Sequence, residues 1–201
     1  MSYVAAKHEI GHLIAAALTF YADDQLQAHL DDVRLRIEIT EGEAIGGRFT
    51  FDGDHLTDRD KAMLQSGCAL GGAIALCSQM ELSLWLSGRL SLSQLPSISP
   101  EDIRTFDNAC SFLAQADGDV ESGNAISRVI FATFVVANSG WIERRFGDLT
   151  TLGSVTTTAF ALFADQPKFL SQVFNIGDDM LGAVNAAIVA STKEQEAPAN
   201  A

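Results

Sequence analysis

Apolar residues recur at helical spacing over residues 2–20 and cover nearly every face of that segment, so the sequence predicts a buried first helix. A polar, acidic connection over 21–32 leads to residues 33–39, where apolar and charged residues alternate with the period of a half-buried strand. Turn-forming residues over 40–47 and the aromatic, β-branched segment 48–51 then predict a second short strand. We therefore expect a helix followed by a small hairpin or a sheet of two to three strands.

Most of the remaining chain has a helical pattern. One helix is expected from a cap at Thr57 to about residue 87. Inside it, three glycines, Gly67, Gly71 and Gly72, leave room for close packing against the first helix. Another helix is expected from a serine cap at position 99 to about position 115. Further helices are expected near residues 124–146, 150–164, 167–175 and 179–191. The predicted fold class is α+β, mainly helical, with one small sheet early in the chain.

The composition excludes several classes of protein. Hydrophobic residues make up 47% of the 201 residues, which is enough for a folded core. A formal net charge of −13 argues against nucleic acid or an anionic membrane surface as the main partner, because both attract basic proteins. Three cysteines without a C-x-x-C pair favour a reducing compartment. With no secretory signal and no convincing membrane span, the sequence predicts a cytoplasmic location.

The chemistry is concentrated in the segment HEIGH at residues 8–12, an H-E-x-x-H motif on the first predicted helix. A spacing of four residues places the imidazoles of His8 and His12 on one helix face, so both can bind a single Zn²⁺. Glu9 lies beside them and can serve as a general base. The alternative is a polar patch that faces solvent or a partner. The apolar helix favours the metal, because burying an unpartnered His–Glu–His cluster would be costly.

A catalytic zinc site needs a third protein ligand, and the residues alone leave its identity open. The extended motif that would supply a third histidine is absent, because Leu18 occupies its position. His29 and His55 lie in acidic loops and are expected to be plain surface residues. Acidic residues in a first helical turn also have a structural role, since they complement the helix dipole. The candidate carboxylates are Glu38, Glu41, Glu43, Glu81, Glu101, Asp102 and Asp107.

Four segments follow one another along the chain in the order of the landmarks of a known domain: AAKHEIGHLIAAAL, VRLRIEITEGEAIGGRFTF, DRDKAMLQSGCALGGAIAL and SPEDIRTFDNA. Over about residues 3–115, this order resembles the peptidase domain of FtsH-type ATP-dependent zinc metalloproteases. In that family an Asp at the start of a later helix is the third ligand. The resemblance therefore implies that His8, His12 and Asp102 bind zinc and that Glu9 is the general base.

The resemblance also implies a domain organisation and a function. It covers the core at residues 3–115 of one expected zincin-like peptidase domain over residues 1–192. The helical pattern predicts an extension at 116–192, and the terminal residues 193–201 are expected to form a disordered tail. The implied activity is that of a zinc-dependent metalloendopeptidase acting on unfolded proteins or peptides. No G-x-x-x-x-G-K-[ST] loop occurs, so we expect the family's ATPase module and membrane anchors to be absent from this chain. A homo-oligomer, with a hexamer as one form, and an ATPase on a separate chain are the partners to consider.

The strand segment at residues 44–51 is the expected substrate-binding element. An exposed strand edge can pair with an extended peptide, and missing side chains at Gly46 and Gly47 would allow close approach. Arg48 and Phe49 continue this segment and are included in the predicted substrate-binding set. The alternative is that the two glycines merely complete a hairpin turn. The alternative for the whole chain is a catalytically silent binding or regulatory module that retains the fold.

Overall fold

The computed structural model describes residues 3–40, 46–116, 120–147, 149 and 153–196. The helices are α1 (Tyr3–Ala22), α2 (Asp58–Ala69), α3 (Gly71–Leu76), α4 (Gln79–Leu86), α5 (Pro100–Ala116), α6 (Val120–Asn138), α7 (Trp141–Phe146), α8 (Ala159–Phe163) and α9 (Pro167–Glu196). The strands are β1 (Arg34–Thr40), β2 (Gly46–Asp52) and β3 (Ser154–Thr157). The described residues are mostly helical with a small antiparallel sheet, so the predicted α+β class is confirmed. None of the helices in these ranges has the length and apolar character needed to cross a bilayer.

The sheet has the order β2-β1-β3, so β1 is its central strand. The antiparallel ladder between β1 and β2 runs from the pair Arg34–Asp52 to the pair Thr40–Gly46. β3 pairs antiparallel with the other edge of β1, which brings residues from the C-terminal half of the chain into the sheet. Beyond its pairing with β1, the outer edge of β2 has no strand partner among the described residues. The described part of the segment expected to bind substrate, residues 46–51, therefore belongs to an edge strand.

Helix α1 is the centre of the core, as its apolar pattern predicts. It is buried from residue 9 to residue 20, and it packs against α2, α3, α6 and the sheet. Glycines make the packing on α3 unusually close: a Cβ added to Gly11 would lie 2.4 Å from the Gly71 carbonyl oxygen, and the reverse distance is the same. A Cβ on Gly67 would lie 2.0 Å from the Thr19 hydroxyl oxygen. The predicted tight packing of these glycines against the first helix is confirmed.

The helix expected to run to about residue 87 is instead three helices. α2 ends at Ala69, and after α3 the backbone of Cys77 is extended, with φ −63° and ψ 141°. Ser78 then starts α4, since its hydroxyl accepts from the backbone N–H of Glu81 while the Glu81 carboxylate accepts from the Ser78 N–H. This reciprocal cap is an S-x-x-E pattern that a sequence can display.

The C-terminal half departs from expectation in three places. The helix expected near 124–146 is divided at Gly140, which has the left-handed φ of 69° that glycine tolerates. Residues 150–164 were expected to be helical, but their described part forms β3 and the short helix α8. α9 is continuous where two helices were expected, and it includes the first four residues of the predicted tail. Residues 197–201 of that tail lie outside the described residues.

Candidate metal centre

The two histidines of the motif converge on α1 as their spacing predicts. The Nε2 atoms of His8 and His12 are 3.1 Å apart, and the two rings meet edge to face, with their centroids 4.7 Å apart. In a tetrahedral zinc site with bonds of 2.0–2.1 Å, two ligand atoms lie about 3.3 Å apart. The separation of the two nitrogens is therefore close to what a single ion requires.

A backbone carbonyl sets the tautomer of His12. Its Nδ1 lies 2.7 Å from the carbonyl oxygen of Cys68, near the end of α2. Because a carbonyl can only accept, Nδ1 carries the hydrogen and Nε2 presents a lone pair. His12 is buried, and this hydrogen bond holds its ring in the orientation that directs Nε2 toward His8. A metal-binding histidine commonly donates its other nitrogen in this way.

His8 is held by packing instead. A Cβ on Gly72 would lie only 2.4 Å from Cε1 of the His8 ring, so the ring lies directly against the α3 backbone. Among the described residues, no group forms a hydrogen bond of good geometry with its buried Nδ1. Burial, with the neighbouring His12, lowers the pKa of His8 to about 4. His8 is therefore neutral at physiological pH, which is the form that binds metals.

Asp102 completes the group from the first turn of α5. Its Oδ1 lies 3.9 Å from Nε2 of His12. Its other oxygen accepts from the backbone N–H of Ser99, 3.0 Å away, while the Asp102 N–H donates to the Ser99 hydroxyl over the same distance. One carboxylate oxygen thus caps the helix and the other faces the histidines. The structural role expected for an acidic residue in this turn and the ligand role are compatible in one side chain.

The three side chains form a group that could hold a metal ion, with one potential ligand atom from each lying within 4.8 Å of the others. Two neutral imidazoles and a carboxylate are a typical ligand set for a first-row divalent ion. The residues present therefore fit a metal. They come from α1 and α5, and the fixed contacts of His12 with the end of α2 and of His8 with α3 align them.

Glu9 lies next to His8 on α1, and only 8% of its surface is exposed. Burial raises the pKa of its carboxyl group, while the nearby His12 opposes that shift. A carboxylate with a raised pKa is a stronger base than an exposed one, which suits proton transfer near neutral pH. The position and environment of Glu9 therefore match those of a general base.

An open cleft of about 890 Å³ gives access to these residues. Of the four residues predicted to bind substrate, Arg48 and Phe49 line this cleft. Gly46 and Gly47 lie at the start of the same strand, β2. The cleft thus borders β2, the strand at one edge of the sheet.

Among the described residues, the other candidate third ligands do not belong to this group, although Glu101 also lines the cleft. Glu38 forms an ion pair with Arg36, and Glu81 caps its own helix. Glu101 and Asp107 are exposed, and neither belongs to the group that could hold a metal. The remaining two candidates, at positions 41 and 43, lie outside the described residues. Among the described carboxylates, Asp102 is the one that reaches both histidines.

Two parts of the site were not anticipated from the sequence: the Cys68 carbonyl that orients His12, and Gly72, which gives space to the His8 ring. The first has no signature in the sequence, because any residue supplies a carbonyl. The second was visible as a close-packing glycine, but not as a neighbour of the metal group.

Comparisons of the chain with models of known protein families, with curated proteins and with solved structures give no match. The resemblance to FtsH-type peptidases therefore rests on the sequence segments alone, and the function has to be inferred from the site.

Proposed function

We propose that the chain is a zinc-dependent metalloendopeptidase that hydrolyses peptide bonds of unfolded proteins or peptides. The observation that carries the proposal is the meeting of His8, His12 and Asp102 in one group, with the buried Glu9 beside them. The H-E-x-x-H motif links this arrangement to metal-assisted peptide hydrolysis. The resemblance to FtsH-type peptidases gives the same roles to the same residues.

His8 and His12 would hold zinc through their Nε2 atoms, and Asp102 through Oδ1. When bound, zinc supplies a Lewis acid that polarises the scissile carbonyl and activates water. The hydrogen bond from His12 to the Cys68 carbonyl selects the tautomer with the hydrogen on Nδ1, which leaves Nε2 as the nitrogen that can bind zinc. Burial lowers the pKa of His8, so its ring is neutral near pH 7 and one of its two nitrogens has a lone pair for the metal.

Glu9 moves the proton in this proposal. It takes a proton from the attacking water and then passes it to the nitrogen of the departing amine. Its raised pKa, caused by burial, favours acceptance of that proton near neutral pH. Asp102 and His12 lie close enough to Glu9 to influence the pKa of its carboxyl group, so this proton transfer would take place next to the residues that would hold zinc.

The outer edge of β2, which pairs with no strand in the described part of the chain, would bind the substrate. An extended peptide can add to such an edge through backbone hydrogen bonds, which demand little of the peptide's side chains. Arg48 and Phe49 line the cleft, so a peptide on this edge would run toward the metal group. Folded proteins cannot present an extended segment, and this explains the proposed preference for unfolded substrates.

The resemblance further suggests a homo-oligomer, of which a hexamer is one form, and a separate ATPase chain that unfolds substrates. A net charge of −13 on each chain opposes self-association at low salt, so an oligomer would be favoured at higher ionic strength.

The test compares the wild type with Glu9→Gln and with the control Glu121→Gln, an exposed residue of α6. Each zinc-loaded protein is incubated with an unfolded casein-like substrate and with a tightly folded domain. Glu9→Gln should retain zinc and lose at least roughly 100-fold in cleavage rate, the usual size of a general-base effect. The control should cleave as the wild type does. Zinc binding with no cleavage by the wild type would instead identify a catalytically silent module.

A further inference from the structure

A second group of metal-ligating side chains lies outside the site described above. His29 Nδ1 is 3.1 Å from Asp32 Oδ2, and His55 Nε2 is 3.4 Å from the same oxygen. The two imidazole rings lie next to each other, with centroids 5.3 Å apart. One potential ligand atom from each residue lies within 4.8 Å of the others, as in the group on α1. All four histidines of the chain thus fall into two groups.

The fold explains why residues so distant in sequence meet. Arg34 and Asp52 form the last pair of the β1–β2 ladder, at the end opposite the pair Thr40–Gly46. Residues just before β1 and just after β2 are therefore neighbours. Asp32 belongs to the first of these segments and His55 to the second. His29 ends the 3₁₀ turn that precedes Asp32.

A buried ion pair fixes the two segments relative to each other. Asp23 lies 2.7 Å from Arg59, a residue of the first turn of α2, a few positions after His55. Asp23 also accepts a hydrogen bond from the backbone N–H of Leu26, the first residue of the turn that carries His29. The carboxylate of Asp23 thus contacts both the turn that carries His29 and the helix that follows His55. The proximity of His29 and His55 therefore follows from this buried ion pair and not from a chance contact between loops.

The chemistry of the group suits a transition metal better than Ca²⁺ or Mg²⁺, which prefer oxygen ligands. Two imidazoles and one carboxylate leave further coordination positions for water, and the side chains of Asp32 and His55 are each about half exposed. Both imidazoles face the same carboxylate oxygen of Asp32. A divalent ion bound to all three side chains can take the place of a proton between imidazole and carboxylate. The adjacent acidic residues Asp31 and Asp54 and the net charge of −13 favour cations here.

We propose that His29, Asp32 and His55 form a second metal site, which binds Zn²⁺ or a similar divalent ion and ties the start of β1 to the loop after β2. The site does not depend on the proposed peptidase function. Its ligands are more exposed than those on α1, so it binds its ion less tightly and exchanges it with solvent.

The experiment counts zinc by competition with a chromophoric chelator in the wild type, in the double variant His29→Asn/His55→Asn, and in the matched pair Asp32→Asn and Asp31→Asn. Removal of both histidines should lower the number of zinc ions per chain by one. Asp32→Asn should weaken binding at the second site at least about tenfold, as loss of a ligand does. Asp31→Asn removes the same charge without removing a ligand, so it should have little effect.

The difference of one zinc ion between the wild type and the double variant tests this site independently of the proposed function. Failure of the α1 site would lower the zinc count of all four proteins equally and would leave that difference unchanged. Zinc-dependent shifts of the His29 and His55 ring signals in NMR spectra of the wild type give a second measurement that needs no variant. An unchanged zinc count in the double variant would overturn the proposal. So would equal weakening by Asp32→Asn and Asp31→Asn.

Discussion

Replacing Gly72 with alanine tests whether packing against α3 positions His8. The added Cβ would lie 2.4 Å from Cε1 of the ring and 2.6 Å from both ring nitrogens. Real side chains do not approach so closely, so either the ring or the α3 backbone has to move. The ring is the more mobile of the two, because it ends a side chain that borders an open cleft. We therefore expect Gly72→Ala to displace the His8 nitrogen from the metal group.

Two opposing effects set the change in stability. Alanine is favoured over glycine inside a helix by roughly 0.5–1 kcal/mol, whereas forcing an extra carbon into a packed site costs about 1–3 kcal/mol. The free energy of unfolding should thus fall by at most about 2.5 kcal/mol. Zinc affinity should fall by about 10–100-fold, the usual effect of losing a group that orients a ligand, or about 1.4–2.7 kcal/mol.

The matched control is Gly123→Ala on α6, where an added Cβ meets nothing within 4 Å. That variant should be as stable as the wild type or slightly more stable, and its zinc affinity should be unchanged. Urea unfolding gives the stabilities, and competition with a chelator gives the affinities. If Gly72→Ala binds zinc as tightly as Gly123→Ala does, the contact with α3 does not position His8.

Two further predictions concern the same site. In metal-free protein the pKa of His8 is lowered from 6.5 to about 4, mainly by burial, so the stability that the neutral ring contributes is complete above pH 6.5 and is lost as the pH falls toward 4. The loss amounts to about 3 kcal/mol. Between pH 7 and pH 4, the free energy of unfolding measured with urea should therefore fall by this much more in the wild type than in His8→Gln. An equal fall in the two proteins would contradict the prediction. Asp102→Asn should lower zinc retention after dialysis against a chelator at least about tenfold, whereas Asp107→Asn, an exposed change on the same helix, should not. Full retention by Asp102→Asn would place the third ligand elsewhere.

The parts of the molecule that were predictable from the sequence depend on local periodicity. The all-round apolar pattern of α1 requires burial, and the four-residue spacing of His8 and His12 places them on one face of any helix. The alternation over residues 33–39 likewise predicts β1, which has one face toward the core. These features follow from neighbours in sequence, so no knowledge of distant contacts was needed.

The parts that were not predictable depend on contacts between distant residues. β3 has only four residues, and it is a strand because it pairs with one edge of β1, which lies more than 100 positions earlier in the chain. The third ligand is similar: seven carboxylates had the right chemistry, and residues alone could not choose among them. Asp102 reaches His12 only because the whole fold brings the start of α5 to α1. His29 and His55 looked like isolated surface residues for the same reason.

The paired glycines at the start of α3 connect the fold to the site. Gly71 lets the backbone of α3 contact the backbone of α1 at Gly11, which fixes the separation of the two helices. That separation is small enough to bring the next residue, Gly72, against the His8 ring. With a larger residue at position 71, α3 would be farther from α1, and His8 would lose the surface that limits its rotation. A close helix contact made for packing thus also restricts a proposed metal ligand, which is why the glycine pair and the histidine motif belong to one structural unit.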